Sequence, residues 1–305
     1  MPLAISGDSS NASPLMGGLP SEPAEALPCW CGEGEWQVCF RKPRASLLRC
    51  SACGSFQTEP PPLARRKEAP AQRESHPEAA RPRASRNAWF WRVAEKVPQL
   101  LEARVTAVDI GAGEGHFCAE LRAAGWPRVT GFEFSPSRIA VARRLYPQIP
   151  FHSCSLHDAG IPESSLDLIV LEDVIEHLPN PAAIVGELAR YLAPGGNLVI
   201  LTPNMESGHF RLLGSRWTGM LAPHSHVFLF TGSGLAQLLL RCGLSIRKRG
   251  SVHPPFYRIG EYARRLFSGD IKGTLWRAHQ EIGAFYGKLI GAGPMLYAVA
   301  TRPAN

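Results

Sequence analysis

From residue 105 onward the apolar positions fall into short blocks that alternate between two periods. The run Val105–Ile110 reads as a buried strand, followed by glycines and a helical pattern that reaches Leu121–Gly125. Val129–Phe134 is a second strand. Ser135 and Pro136 then supply an N-cap and a first-turn proline for a helix over 137–146. Phe151–Ser155 is a weaker third strand and Leu166–Leu171 a strong fourth. Asn180 and Pro181 open a helix to Leu192, which Ala193–Gly196 stops before a fifth strand at Leu198–Thr202. A helix starting at Thr231 or Ser233 ends at Gly243, and Leu244–Val252 and Leu296–Thr301 read as two further strands. Strand and helix in alternation predict an α/β fold around a parallel sheet with helices on both faces. Between the last two strands, Ile259–Phe267 and Leu275–Ile290 have helical apolar spacing, expected to pack on the core or to form a lid or interface.

Upstream of residue 87 this alternation is missing. Residues 1–26 are rich in Ser, Pro, Gly and Ala and read as disordered, 27–58 form a cysteine-rich module, 59–86 a Pro/Ala/Arg linker, and 87–305 the α/β domain. The net charge of +7 raises the question of a nucleic-acid partner. Between Pro60 and Arg86, however, seven Arg/Lys stand against three Glu, so most of the excess sits in a solvated linker, which argues against nucleic acid. No apolar run is long enough to cross a membrane and the first residues lack a secretory pattern, so a cytoplasmic location is expected.

Five of the eight cysteines, Cys29, Cys31, Cys39, Cys50 and Cys53, lie within the first 53 residues. In a reducing compartment such clustering points to metal before disulfide. Cys50-x-x-Cys53-Gly has the form of half a zinc-ribbon knuckle, and Cys29-x-Cys31-Gly, one residue shorter than usual, would be the other half, with Cys39 as a substitute. Zinc on Cys29, Cys31, Cys50 and Cys53 would be structural, because four sulfur ligands leave no open position.

The sharpest chemical signal is VDIGAGEGHF, Val108–Phe117, a strand that ends in a glycine turn entering a helix. Gly111, Ala112, Gly113 and Gly115 allow close backbone approach to a ligand, and the helix start offers free N–H groups. A dinucleotide-binding loop would need a small residue where His116 stands. Asp109 also precedes the glycines, and a carboxylate there suits the cationic S-adenosylmethionine (SAM) better than a pyrophosphate. Glu133, at the end of the second strand, is placed to accept hydrogen bonds from a ribose diol, Phe134 to cover an adenine face, and Asp158 to reach the adenine edge or to serve as a turn residue.

Together with GFEFSP, DLIVLEDVIEHLPNP, LAPGGNLVILTPN and LYAVATRP, this motif resembles class I SAM-dependent methyltransferases over about Val105–Pro303, in particular the branch that includes ubiquinone-biosynthesis O-methyltransferases and small-molecule enzymes. The resemblance implies a Rossmann-like seven-stranded sheet with an antiparallel final strand and SAM across the C-terminal strand ends. It carries SAM binding onto Asp109, Gly111, Gly113, Gly115 and Glu133, and adds Asp158, Leu171 and Glu172. Many methyltransferases of this branch also carry cysteine pairs ahead of the SAM domain.

Methyl transfer asks an enzyme mainly to position donor and acceptor and to remove one proton. His177 is the candidate general base by position and near-neutral pKa, the alternative being a packed or capping histidine. Asp173, Glu176 and His177 would share a face if helical, and with His226 resemble a Glu-x-x-Glu-His metal site, but the aspartate at 173 argues against a divalent metal. The expected reaction moves a methyl group to O or N, less readily C, of a small-molecule acceptor. The alternatives are an RNA- or protein-binding regulator on a SAM-binding fold, or an RNA methyltransferase. Acceptor contacts are expected from 205–226 and 253–293, and the oligomeric state is not encoded in any readable pattern.

Overall fold

A computed structural model of the 305-residue chain describes residues 26–42, 45–59, 88–102, 105–214, 226–253, 282–283 and 285–303. Nearly all of the N-terminal segment and of the linker, residues 215–225 of the expected acceptor stretch and the helix expected at 259–267 lie outside the described residues.

The first elements are three antiparallel strands, β1 (Trp36–Lys42), β2 (Ala45–Cys50) and β3 (Phe56–Glu59). After helix α1 (Ala88–Lys96) the α/β pattern follows: β4 (Thr106–Ile110), α2 (His116–Ala123), β5 (Arg128–Phe132), α3 (Pro136–Leu145), β6 (Phe151–His152), β7 (Leu166–Glu172), α4 (Pro181–Tyr191) and β8 (Leu192–Pro203). A short helix α5 (Gly208–Leu213), strand β9 (Phe228–Leu229), helix α6 (Gly232–Arg241) and strands β10 (Ser245–Val252) and β11 (Met295–Thr301) complete it.

The large sheet has seven strands in the order β10-β11-β8-β7-β4-β5-β6. Only β11 runs antiparallel to its neighbours, as the family resemblance implied. Side chains of a strand alternate between faces, and here both faces are apolar. Ile169, Leu171, Leu198 and Ile200 pack with Val185 and Leu188 of α4 and Leu235 and Leu239 of α6. Leu168, Val170, Val199 and Leu201 pack on the other side with Phe90 of α1, Phe117 and Leu121 of α2 and Ile139 of α3. The expected two-sided α/β layering is therefore present, and the sequence order reverses between β4 and β7, where such sheets open a crevice at the strand ends.

Local chemistry explains most boundaries. Asn180 caps α4 through Oδ1, which accepts from the Ala183 N–H at 3.1 Å, and Thr231 caps α6 by accepting from Gly234 at 3.1 Å. Two strands differ from the sequence pattern. The third is only two residues long, and the fifth begins six residues earlier than read, at Leu192. The Ala193–Gly196 stretch is an irregularity inside the β7–β8 ladder, which jumps from Leu166↔Leu192 to Leu168↔Asn197. Gly196 permits it, because a Cβ there would lie 2.6 Å from the Leu166 carbonyl.

Strands β1, β2 and β3 form a second sheet that β9 joins, in the order β1-β2-β3-β9. The cysteine module is thus joined by strand pairing to a segment between β8 and α6. No helix among the described residues is long and apolar enough to cross a membrane.

Candidate SAM and acceptor site

The glycine turn sits at the crevice between β4 and β7. Gly111, Gly113 and Gly115 have φ of 81°, 57° and 81°, the left-handed region that other residues enter at a cost. Packing fixes two of them as well. A Cβ on Gly111 would fall 2.4 Å from Val174 Cγ2, and one on Gly115 2.5 Å from the Phe151 ring. The N–H groups of Gly111 and Ala112 donate to the Phe132 carbonyl at 2.8 and 2.9 Å, so the turn is strapped to the end of β5.

Glu133, next along that strand, is 8% exposed and braces the turn. Its Oε2 accepts from the Gly113 N–H at 2.9 Å and its Oε1 from the Ser135 N–H at 2.8 Å. Phe134 beside it is exposed. Leu171 and Glu172 end β7 directly across the crevice, with Leu171 paired to Ile110. Asp158 sits in a turn after β6, where its carboxylate accepts from Ser155 Oγ at 2.8 Å and its N–H donates back at 3.1 Å. That bond, then His157, holds the exposed carboxyl below its ordinary range.

Asp109 is buried beneath the turn, and its Oδ2 accepts from the Cys118 thiol at 3.6 Å. Sequence reasoning missed this cysteine, since nothing in its spacing marks it as a partner. Burial pushes the Asp109 carboxyl from its ordinary 3.8 up to about 7, the Glu133 charge adds to the rise, and the thiol opposes it. The folded chain then holds a proton that the unfolded chain releases, so ionisation costs stability as pH rises through the window from about 4 to about 7. A cationic ligand favours the ionised form. SAM affinity is expected to rise by up to about tenfold per pH unit below 7 and then level off. Calorimetric titration between pH 5.5 and 8.5 checks this, and a flat profile would refute it.

The segment after β7 does not form the helix that its i, i+3, i+4 spacing suggested. Asp173 takes φ of 54°, and only Ile175–His177 make one 3-10 turn. Ligand atoms of Glu176, His177 and His226 lie within 4.8 Å of one another, and Asp173 is not part of that group. Glu176 is fully buried, its Oε2 accepts from Thr202 Oγ1 at 2.9 Å, and its Oε1 lies 4.0 Å from His177 Nε2. The His177 and His226 rings are 5.0 Å apart. The carboxylate is fixed by β8, His177 is partly exposed at 40%, and His226 enters from the segment before β9. Thr202 was not legible as a partner, because it lies in a strand that reads as core.

In the module, the Sγ atoms of Cys29, Cys31, Cys50 and Cys53 converge, with neighbouring separations of 3.5, 3.4 and 3.6 Å. A disulfide needs about 2.05 Å, and four thiolates about 2.3 Å from a central zinc would stand about 3.8 Å apart, so the group fits a tetrahedral ion. The hydrogen bond between the Cys29 and Cys53 thiols holds Cys53 down, to about 5, and pushes Cys29 up, so the pair shares one proton that a bound metal would displace. Cys39 lies exposed on β1, apart from the four, and the shorter Cys29-x-Cys31 spacing closes the set without it.

A parallel sheet reversing at a glycine turn, with a buried acid beneath it and a second acid at the next strand end, defines a SAM-binding methyltransferase fold. Residues 74–248 match the family described as methyltransferase domain, more than half of the chain, and the chain belongs to that family. A Mycolicibacterium smegmatis protein named a probable S-adenosylmethionine-dependent methyltransferase is 33% identical over 183 residues, 53% of this chain and 70% of that protein. Trans-aconitate 2-methyltransferase of Methylobacterium nodulans is 37% identical over 121 residues, covering 39% of this chain and only 45% of its own length. Ubiquinone biosynthesis O-methyltransferase of Xanthomonas euvesicatoria is 28% identical over 169 residues, 52% of this chain and 70% of its own. Among solved structures, a chain of the Haloferax volcanii complex between the Trm112 methyltransferase activator and a methyltransferase superposes with a TM-score of 0.53 at 18% identity, covering 72% of this chain and 99% of that one. At that identity the likeness concerns the fold alone.

Proposed function

We propose that the chain transfers a methyl group from SAM to an oxygen or nitrogen of a small-molecule acceptor, with His177 as the proton acceptor and a structural zinc in the cysteine module. The observation that carries this reading is one partly exposed histidine, backed by a buried carboxylate, in the turn that follows β7, the strand paired with the one that ends in the glycine turn. The names of the trans-aconitate and ubiquinone relatives support a small-molecule acceptor.

The residues present fit SAM. Gly113, beside which a Cβ would meet open space, leaves room for a ligand against the backbone, Asp109 would supply negative charge, and Glu133 and Phe134 would frame a ribose and an adenine. When bound, SAM supplies a sulfonium-activated methyl whose C–S bond breaks as the acceptor's lone pair takes the carbon, leaving neutral S-adenosylhomocysteine. His177 takes the proton that the acceptor loses. Glu176, anchored by Thr202, lies 4.0 Å from His177 Nε2 and backs the ring from the buried side. The crevice does the rest by holding the two reactants in line.

The test is a screen of phenol, carboxylate and amine acceptors, read as S-adenosylhomocysteine formation. With any acceptor that turns over, His177→Ala is expected to lower kcat by about 100-fold or more while the SAM Kd stays within about twofold. An unchanged kcat would remove the base role, and no turnover from a protein that binds SAM would remove the small-molecule reading.

A further inference from the structure

The cysteine module could have been a tethered side domain, yet its contacts run straight to the acceptor side of the site. Its second knuckle passes into β3 within three residues of Cys53, and the Cys50 N–H donates to the Ser55 carbonyl at 2.8 Å. Strand β3 then pairs with β9, Phe56 against Leu229 and Gln57 against Phe228. At the far end of this pairing Thr58 Oγ1 donates to the His226 carbonyl at 3.1 Å. The next residue, Val227, donates its N–H to the Glu176 carbonyl at 2.7 Å. The segment that carries His226 is therefore held between the module on one side and the Glu176–His177 turn on the other.

Two more contacts reinforce the path. Arg241 of α6 donates to the Cys31 carbonyl at 2.6 Å and pairs with Glu33 at 2.5 Å. Gly234, in the same helix, lies so close to the second knuckle that a Cβ would fall 2.6 Å from Ser55 Oγ and 3.0 Å from the Cys53 carbonyl. By contrast, the glycine turn takes its support from Phe132, Glu133, Phe151 and Val174, all placed by the large sheet and its loops. The module's own apolar cluster is small, Leu47 and Phe56 with Met205, Leu229 and the partly buried Phe40, Phe210 and Leu213, and Trp30 and Trp36 pack both on the four cysteines and on the large core, so closing the four-sulfur site adds order where the two meet.

We infer that the four-cysteine site is a positioning device for the acceptor half of the active centre: metal in the knuckles sets β3, β3 sets His226 against Glu176 and His177, and SAM binding is left to the large sheet. This rests on the zinc reading above, and the two can fail separately. His226 acts here through its placement, and the cysteines act through Thr58 and β9.

The experiment compares the full chain loaded with zinc and stripped by a chelator. Metal content is read by thiol-triggered zinc release, backbone order by hydrogen exchange, and the cofactor site by SAM titration. The expected result is one zinc per chain. Stripping is expected to raise exchange at least about tenfold at 226–230 and 176–178, and to shift the imidazole NMR signals of His177 and His226. Exchange at 108–117 should stay unchanged and the SAM Kd within about twofold. Thr58→Val, which touches no cysteine, should keep its zinc and loosen 226–227 alone, again sparing SAM. Absence of zinc would sink the zinc reading and this inference together. Zinc present, with 226–230 as protected after stripping as before, would overturn the inference alone. So would loosening of 108–117 by the same factor, or a Thr58→Val protein indistinguishable from the parent.

Discussion

Replacing Glu133 with alanine is expected to weaken SAM binding by at least about 100-fold, equivalent to ~3 kcal/mol, measured by titration calorimetry on protein whose circular dichroism is unchanged. The effect is large because one buried carboxylate serves two purposes. It holds the Gly113 and Ser135 N–H groups, which shape the turn, and its remaining lone pairs are available to a ribose diol. Alanine removes the ligand contact and also leaves the Gly113 and Ser135 N–H groups without the acceptor that shapes the turn. Glu133→Gln should fall between, since its amide NH2 would face one of those donors. A Kd within threefold of the parent for the alanine protein would show that the ligand is not held at this strand end.

Gly115→Val is expected to be strongly damaging to the fold. At φ of 81° a β-branched residue is strained by about 1–2 kcal/mol, and its Cβ would stand 2.5 and 2.9 Å from two atoms of the Phe151 ring and 3.2 Å from Ala142. Adding an overpacking cost of about 1–3 kcal/mol gives a loss of roughly 2–5 kcal/mol, or a Tm lower by about 5–20 °C for a domain of this size. Thermal unfolding followed at 222 nm checks it. A drop of under 2 °C would mean that Phe151 and the turn can move apart freely, contrary to the packing described.

The large sheet was readable because long apolar strands separated by capped helices repeat their signals. Asn180 and Thr231 each announce a helix by a side chain that can accept from the first turn, and both do so. The glycine turn was readable for a similar reason: three glycines and two acids have no cheaper explanation than a close ligand approach. What stayed hidden depends on pairing across long stretches of chain. Strand β9 is two residues long and has no periodicity of its own, yet it joins the module to the site. Periodicity also misled at 173–177, where helical spacing suggested one shared face. Asp173 instead takes a left-handed conformation and drops out of the group that Glu176, His177 and His226 form. Burial was equally invisible at Asp109 and Cys118, whose contact joins a strand to the helix packed over it.

The placement of β11 has a consequence for the order of assembly. Its residues, Met295–Thr301, fill the gap between β8 and β10, which both precede it in the chain. In synthesis β8 is made long before this neighbour, so its edge amides wait unpaired until β11 is available. Closure of the sheet is then a late, long-range step, and a nascent chain stalled before residue 295 presents an open strand edge to chaperones and to other copies of itself.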